Sequence, residues 1–417
     1  MTRKSPSNSA RSGVTRRSFA AGASAAGLLA GTAPFDIARS QSGPLKVGVL
    51  LPTSGAQASI GQDCKRGVDI APPIFKDLGL PDLAIMNADT ETNVEVARAR
   101  AEKLINDGAQ LLVGAFDSGA STAIAQVAEQ KGIPFVINIA AAPPITEQGY
   151  KFVFRNFPTA PMILGDAFAN QKELFEATGV TPKSVVFMHV NDTFGTSMAQ
   201  SLPGLLPKFD MPYKIAETIS YDPTARDLSV EVAKAKATGA EALLMVSRLN
   251  DAILLTRELV KQRWTPSAVL SMGPGWYEEQ YLKTLGKLSD GPLSFVPWYD
   301  PNKKLSKQLE AALEKAFPGI NLNTNHVFTF EALLVAADAY KRARSTDPKA
   351  LADAIRTTNI TDNVSIGPGI QFDAKGQNDK LKNAAIQNRG GKLLTVAPKF
   401  ASNAKPELPL SPYDKRS

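Results

Sequence analysis

Short apolar runs alternate with longer amphipathic segments in the part of the chain that follows residue 45. The apolar runs occupy residues 46–51, 83–86, 111–113 and 133–137. Such runs, bounded by turn residues, are typical of buried strands. The segments that have apolar residues at helical spacing are 58–76, 94–105 and 121–130. This alternation predicts a parallel sheet with helices on both faces.

The same alternation restarts further along the chain. The predicted strands are 184–189, 213–219, 242–246 and 268–271, and the predicted helices are 195–207, 228–238 and 251–262. Pro-rich stretches near Arg155–Pro161 and Gly291–Pro301 separate the blocks, and an amphipathic helix at about His326–Arg342 is expected to pack on the first block. A chain of 417 residues is too long for one ordinary core. We therefore predict an α/β fold with two doubly wound parallel-sheet lobes.

The N-terminal segment has the character of an export signal. Arg16 and Arg17 are followed by an uncharged run, 20–33, that is too short to span a bilayer. A basic start, a short apolar run and small residues after it predict a twin-Arg signal peptide over residues 1–40, cleaved after Ser40. We therefore expect a periplasmic protein that does not span the membrane once the signal has been removed.

The positive charge of the chain belongs mostly to that segment. Residues 1–40 contain six basic residues and one acid, so they contribute +5 of the formal net charge of +7. The remainder is close to neutral and has no electrostatic footprint for nucleic acid.

Groups that catalyse reactions or bind metals are scarce. Cys64 is the only cysteine, and His189 and His326 are the only histidines. A single cysteine excludes a disulfide framework and a cysteine-ligated zinc site, and two histidines far apart are not a usual metal site. Gly119–Ala123 only approximates the nucleophile elbow of hydrolases, and no glycine-rich phosphate loop follows a strand. We expect no enzymatic activity, no metal and no cofactor.

A serine-rich turn follows the third predicted strand. It places Ser118, Ser121 and Thr122 at the start of a helix. Ser118 or Ser121 can cap that helix, and their hydroxyls can also hold a carboxylate together with free N–H groups. In open parallel sheets, ligands bind at the carboxyl ends of the strands, where these residues lie. Arg248, if its side chain turns inward, supplies a second partner for an anion.

Several segments resemble the leucine/isoleucine/valine-binding proteins, which are type I periplasmic solute receptors of branched-chain amino acid ABC importers. These segments are 46–55 with Gly61 and Gly67, then 106–114, 131–137, 191–195 and 366–376. They occur in the family's order over about residues 45–400. The resemblance implies two lobes that close on a small ligand, with ABC permease subunits as partners.

The resemblance also implies how the chain is divided. Lobe 1 is expected to contain residues 45–158 and 297–367, lobe 2 residues 159–296 and 368–400, and a C-terminal tail residues 401–417. The hinge crossovers are expected near Phe157–Pro161, Val296–Tyr299 and Gly367–Phe372.

Residue-by-residue transfer gives a mixed pattern. Ser118 matches the family serine that binds the ligand carboxylate, and Ala141 matches a threonine position, where only the backbone N–H remains. Phe194 matches an aromatic residue that closes over the ligand. The acid that receives the ammonium group in amino acid binders falls at Gly275, and a further acid falls at Ala160, so both are missing. A buried ammonium without an acceptor costs several kcal/mol, so a ligand without one is expected.

These considerations define an expected site and leave three functions open. The residues expected to contact the ligand are Ile60, Ser118, Ser121, Ile139, Ala141, Phe194, Arg248, Gly275 and Trp276. The first function is capture of a hydrophobic or aromatic carboxylate for an ABC importer. The second is capture of a branched-chain or other amino acid, and the third, from another class, is ligand sensing by a regulatory protein on the same fold.

Overall fold

The computed structural model describes residues 43–416 of the chain. The expected twin-Arg signal and its cleavage site after Ser40 lie outside these residues. No helix within 43–416 has both the length and the apolar character needed to cross a membrane.

The first block forms a five-stranded parallel sheet. Its strands, in the spatial order 2-1-3-4-5, are β1 (Leu45–Leu51), β2 (Leu83–Asp89), β3 (Leu111–Gly114), β4 (Phe135–Ile137) and β5 (Val153–Arg155). The helices between them are α1 (Ala58–Asp69), α2 (Ala71–Asp77), α3 (Val94–Asn106) and α4 (Ser118–Lys131). β1, β3 and β4 are almost entirely buried, as expected for a sheet covered on both faces.

The second block forms a seven-stranded mixed sheet. Its strands, in the spatial order 12-11-10-9-8-6-7, are β6 (Ser184–Val190), β7 (Lys214–Tyr221), β8 (Ala242–Val246), β9 (Ala268–Ser271), β10 (Leu293–Pro297), β11 (Asn383–Arg389) and β12 (Lys392–Ala397). Strands β6–β10 pair in parallel, and β11 and β12 add an antiparallel edge. The helices of this part are α5 (Ala160–Thr178), α6 (Thr193–Leu205), α7 (Ser229–Ala237), α8 (Leu249–Lys261) and α9 (Glu279–Leu285).

Three further helices lie between β10 and β11. They are α10 (Lys304–Ala316), α11 (Thr324–Ala343) and α12 (Pro348–Arg356). α11 packs against α1, and a Cβ atom at Gly67 would lie 2.4 Å from the carbonyl oxygen of His326, so the glycine permits this close approach. The segment 401–416 is not free, because Leu410 and Tyr413 are buried in the core of the second block.

The structure confirms the predicted α/β fold with two largely parallel sheets. It also corrects one detail. The single helix expected over 58–76 is divided at Ile70, because Pro72 and Pro73 begin a new helix. The Pro-rich stretch Arg155–Pro161 lies between the two blocks, since β5 ends at Arg155 in the first sheet and α5, which begins at Ala160, packs on β10 and β11 of the second.

Three segments connect the two blocks and lie side by side. They are the segment after β5, the segment after β10 and the segment that leads to β11. Asn378 donates from its backbone to the Arg155 carbonyl at 3.0 Å and from its side chain to Asn156 at 2.8 Å, and Ile366 N donates to the Trp298 carbonyl at 2.9 Å. The buried Glu331 of α11 joins them further. Its oxygens accept from Asn156 Nδ2 at 2.8 Å, Val364 N at 2.8 Å and Ser365 N at 2.7 Å. In this arrangement the carboxyl ends of the parallel strands of the two sheets face each other.

Candidate functional site

A cavity of about 40 Å³ lies where the carboxyl ends of strands from the two sheets face each other. Its lining residues are Phe116, Ser118, Ile139, Ala140, Ala141, Phe157, Ile163, Phe194, Arg248, Met272, Gly273, Pro274, Tyr277, Val296, Pro297, Thr324 and Asn325. The cavity is therefore mostly apolar, with a few polar groups that converge on it.

The Ser118 hydroxyl lies at the point where two backbone amides converge. Its Oγ accepts from Ala141 N at 3.2 Å and from Ala142 N at 3.4 Å, and only 1% of the Ser118 surface is exposed. The serine is the first residue of α4, which follows β3, and the amides come from the turn after β4, the adjacent strand. A hydroxyl and two N–H groups at one edge of the cavity are suited to an anion.

Arg155 fixes that turn from behind. Its Nη1 donates to the carbonyl oxygens of Ala140 at 3.1 Å and Ala142 at 2.7 Å, and its Nη2 donates to Thr146 Oγ1 at 2.7 Å. With the carbonyls held on the Arg155 side, the amides of the turn are presented to Ser118. Burial lowers the pKa of Arg155 to about 9, which still leaves the side chain charged at neutral pH.

The charge of Arg155 has no carboxylate partner within salt-bridge distance among residues 43–416. The guanidinium is fully buried, and its remaining bond, from Nε, goes to Gln377 Oε1 at 2.6 Å. The turn at Ala140–Ala142 therefore lies between this buried positive charge and the cavity. The electrostatic potential of the Arg155 charge favours an anion on the cavity side of the turn.

The helix cap differs from the expectation that Ser118 or Ser121 provides it. Asp117 caps α4, and its Oδ1 accepts from Gly119 N at 2.8 Å and Ala120 N at 3.1 Å. Asp117 has the extended backbone of a cap residue, whereas Ser118 and Ser121 already lie within the helix. Ser118 is thus released for the cavity, whereas Ser121 is buried, has no hydrogen-bond partner for its Oγ and does not line the cavity.

Arg248 turns inward, but it meets two carboxylates of the protein itself. Its Nη2 lies 2.7 Å from Asp192 Oδ2 and 3.3 Å from Asp117 Oδ2, and its guanidinium lies between the rings of Phe116 and Phe194. Burial opposes the charged form, but the two carboxylates outweigh it, and the pKa of Arg248 is raised. Since this charge is neutralised, Arg248 is not a free second partner for an anion.

Three other expected contacts lie away from the cavity. Ile60, a residue of α1, is buried in the core, and Trp276 packs on Tyr281 with a 5.5 Å separation between ring centroids. A Cβ atom at Gly275 would lie 2.1 Å from the Arg248 carbonyl oxygen. An acidic side chain at position 275 is therefore sterically excluded in this loop conformation.

Most of the residues on the far side of the cavity were not predicted from the sequence. Tyr277, Thr324 and Asn325 come from the loop after β9 and from the start of α11. The polar run Asn323–His326 before an amphipathic helix was the one signal that pointed to this region. No aspartate or glutamate lies among the lining residues, and the described part of the chain contains no cluster of side chains that could hold a metal ion.

The sequence of the chain is similar to those of known proteins. The sequence model of a family described as periplasmic binding protein matches residues 44–385. The Leu/Ile/Val-binding protein homolog 7 of Brucella suis biovar 1 is 27% identical over 402 residues, which cover 93% of this chain and 98% of that protein.

Solved structures share the fold. The leucine binding protein LivK of Thermotoga maritima MSB8 superposes with a TM-score of 0.73 at 21% identity, over 85% of this chain and 98% of that one. A solute binding protein of an ABC transporter from R. palustris, in complex with benzoate, gives a TM-score of 0.70 at 19% identity, over 87% and 99% of the two chains.

Proposed function

The chain belongs to the periplasmic binding protein family, as its sequence resemblance predicted, and from that premise we propose that it is the solute-binding component of an ABC importer. The twin-Arg signal exports it, and it delivers its ligand to permease subunits outside the cytoplasm. The ligand is a small carboxylate with a hydrophobic or aromatic body. The protein binds and releases this ligand and performs no reaction on it.

One observation supports the anionic ligand above the others. The Ser118 hydroxyl and the amides of Ala141 and Ala142 converge at one edge of the cavity, and the buried charge of Arg155 stands behind them. A carboxylate oxygen at this edge replaces the contacts that the amides make with Ser118 Oγ and accepts from the serine hydroxyl. Charge-assisted bonds of this kind are about twice as strong as those between neutral groups.

The remaining lining favours an apolar body without an ammonium group. Phe116, Phe157, Phe194 and Met272 surround the space, and no acid is among the lining residues in the described part of the chain. An ammonium group in such a space loses its hydration and finds no carboxylate in return, so its burial costs free energy. The names of the relatives favour an amino acid as the alternative ligand, and its ammonium group requires Asp117 or Asp192 to leave Arg248.

Arg248 also supports closure of the two halves on the ligand. Asp117 caps α4, which belongs to the first sheet, and Asp192 caps α6, which belongs to the second. By pairing with both, Arg248 links the two sides over the cavity. Opening of the hinge separates one of these pairs, and closure restores it in a water-poor site, where the pair is stronger than in water.

Isothermal titration tests the proposed ligand class. The panel is benzoate, 4-hydroxycinnamate, leucine, valine and benzamide, the last as the neutral isostere of benzoate. We expect binding of at least one of the aromatic carboxylates and none of benzamide. Micromolar binding of leucine or valine without any binding of the aromatic carboxylates would contradict the proposal.

Ser118→Ala is expected to weaken carboxylate binding by about 1–2 kcal/mol, because it removes one hydrogen bond to a charged group. This loss corresponds to roughly 5- to 30-fold in the dissociation constant. Ser121→Ala is the matched control, because Ser121 is also buried in α4 but does not line the cavity. Equal affinities of the Ser118→Ala variant and the unmodified protein would remove Ser118 from the site.

A further inference from the structure

The side-chain amide of Asn325 is buried at the cavity without a hydrogen-bond partner. Asn325 is fully buried, it lines the cavity, and neither its Nδ2 nor its Oδ1 has a partner. Among the residues that the structure describes, no other side-chain amide has both of its polar atoms buried in this state. Buried polar groups are almost always paired, so this exception indicates a missing partner.

The backbone around Asn325 is fully fixed. Asn325 N donates to Asn323 Oδ1 at 2.9 Å, and the Asn325 carbonyl accepts from Thr329 Oγ1 at 2.7 Å. The preceding Thr324 donates from Oγ1 to the Pro297 carbonyl at 2.5 Å, which attaches the first turn of α11 to the end of β10. The amide is thus held on a rigid element, and its lack of a partner does not come from a loose loop.

The Asn325 side of the cavity is connected to the anion edge through Asn138. Asn138 Nδ2 donates to Thr329 Oγ1 at 2.9 Å, and its Oδ1 accepts from Ile139 N at 2.7 Å and Phe116 N at 3.1 Å. The side-chain amide of Asn138 therefore fixes α11 together with the turns that bear Ser118 and Ala141. One ligand between them meets two sets of polar groups at a fixed separation.

We infer that Asn325 recognises a second polar group on the ligand, one that both donates and accepts a hydrogen bond. The inference rests on the proposed function, since the carboxylate of the same ligand occupies the Ser118 edge. A hydroxyl, or a carboxamide, satisfies both Nδ2–H and Oδ1, whereas a methyl group satisfies neither and an ether oxygen satisfies only the donor. The ligand class is accordingly a hydroxylated or carboxamide-bearing hydrophobic carboxylate.

A site built to hydrogen-bond one ligand group rejects an analogue that lacks it, because its own polar atoms are left unpaired. The test uses isothermal titration of the unmodified protein and of Asn325→Leu, which has a similar volume and no polar atoms. The probes are benzoates with a hydroxyl, methyl, methoxy or carbamoyl group at the meta or para position, together with pentanoate and 5-hydroxypentanoate.

The unmodified protein is expected to prefer the hydroxyl or carbamoyl member over its methyl analogue by about tenfold or more in at least one series. Asn325→Leu is expected to lose that preference, to bind the methyl analogue at least as well, and to show no decrease in Tm, since no protein hydrogen bond is lost. Which of the hydroxyl and carbamoyl series shows the preference identifies the group.

Two results overturn the inference in different ways. Binding of the carboxylates without such a preference, or a preference that Asn325→Leu retains, overturns the role of Asn325 and leaves the proposed function in place. Binding of no carboxylate overturns the proposed function and this inference with it. A marked fall in the Tm of Asn325→Leu would assign the amide a structural role instead.

Discussion

Arg155→Met is expected to lower the free energy of unfolding by at least about 1–3 kcal/mol, the cost of leaving a buried polar group without its hydrogen-bond partner. The guanidinium is fully buried and donates to two carbonyl oxygens, Thr146 and Gln377. Methionine fills much of the volume but leaves these acceptors without a donor. The variant is also expected to lose carboxylate affinity, because the Ala140–Ala142 turn loses its support and its nearby charge. Urea unfolding and isothermal titration measure the two effects.

Two further variants serve as comparisons for Arg155→Met. Arg356→Met is the control for loss of an arginine at a partly exposed position, where Arg356 donates to the Lys151 carbonyl and stacks on Phe154; its expected cost is below about 1 kcal/mol. Arg155→Lys retains the charge with fewer donors, so it is expected to keep more carboxylate affinity than Arg155→Met. An Arg155→Met protein with unchanged stability would show that the buried network contributes little.

Glu278→Gln is expected to raise stability at neutral and alkaline pH, and the gain is expected to grow with pH. Glu278 is fully buried. Burial and the neighbouring Asp63 carboxylate raise the pKa of Glu278 well above its ordinary value, while Ser59 and Arg248 offset this only in part. The folded protein therefore holds a proton that the unfolded chain releases above about pH 4.5.

The sign of the effect follows from proton linkage. A raised pKa in the folded state contributes its full stability below the unfolded-state pKa and loses it as the pH rises toward the folded-state value. Relative to Glu278→Gln, the unmodified protein is expected to lose about 1.4 kcal/mol for each pH unit above about 4.5, until Glu278 ionises in the folded state.

Urea unfolding of both proteins at pH 5, 6, 7 and 8 measures this slope. Other buried groups, such as Asp251, whose pKa burial raises to about 6, are common to both proteins and cancel in the difference. Glu102→Gln, at an exposed position of α3, is the control and is expected to change stability by less than about 0.5 kcal/mol at each pH. A difference between the unmodified and Glu278→Gln proteins that is constant from pH 5 to pH 8 would contradict the buried, protonated Glu278.

The sequence predicted the fold well because buried parallel strands have a local signature. Continuous apolar runs such as 46–51 and 242–246 stand out from the amphipathic helices around them. The antiparallel strands β11 and β12 and the helix α5 were missed for different reasons. The strand Asn383–Arg389 contains polar residues that are nevertheless buried, and α5 has Pro161 in its first turn, next to the stretch that separates the two blocks.

The candidate site could be predicted only in part. Ser118 and Ala141 followed from matched motifs, and both line the cavity, as do Ile139, Phe194 and Arg248. The sequence could not show that Trp276 points into the core, or that Arg248 pairs with Asp117 and Asp192, residues 131 and 56 positions away. Asn325 reaches the cavity only because α11 packs against α1, a contact between distant parts of the chain.

The most direct test of the central claim is a crystal structure of the protein with benzoate, or with the tightest carboxylate of the panel. We expect the ligand in the cavity between the two sheets, with one carboxylate oxygen about 2.7–3.2 Å from Ser118 Oγ and from the amide of Ala141. A carboxylate that instead faces Arg248 or Asn325, or a ligand bound outside this cavity, would contradict the claim.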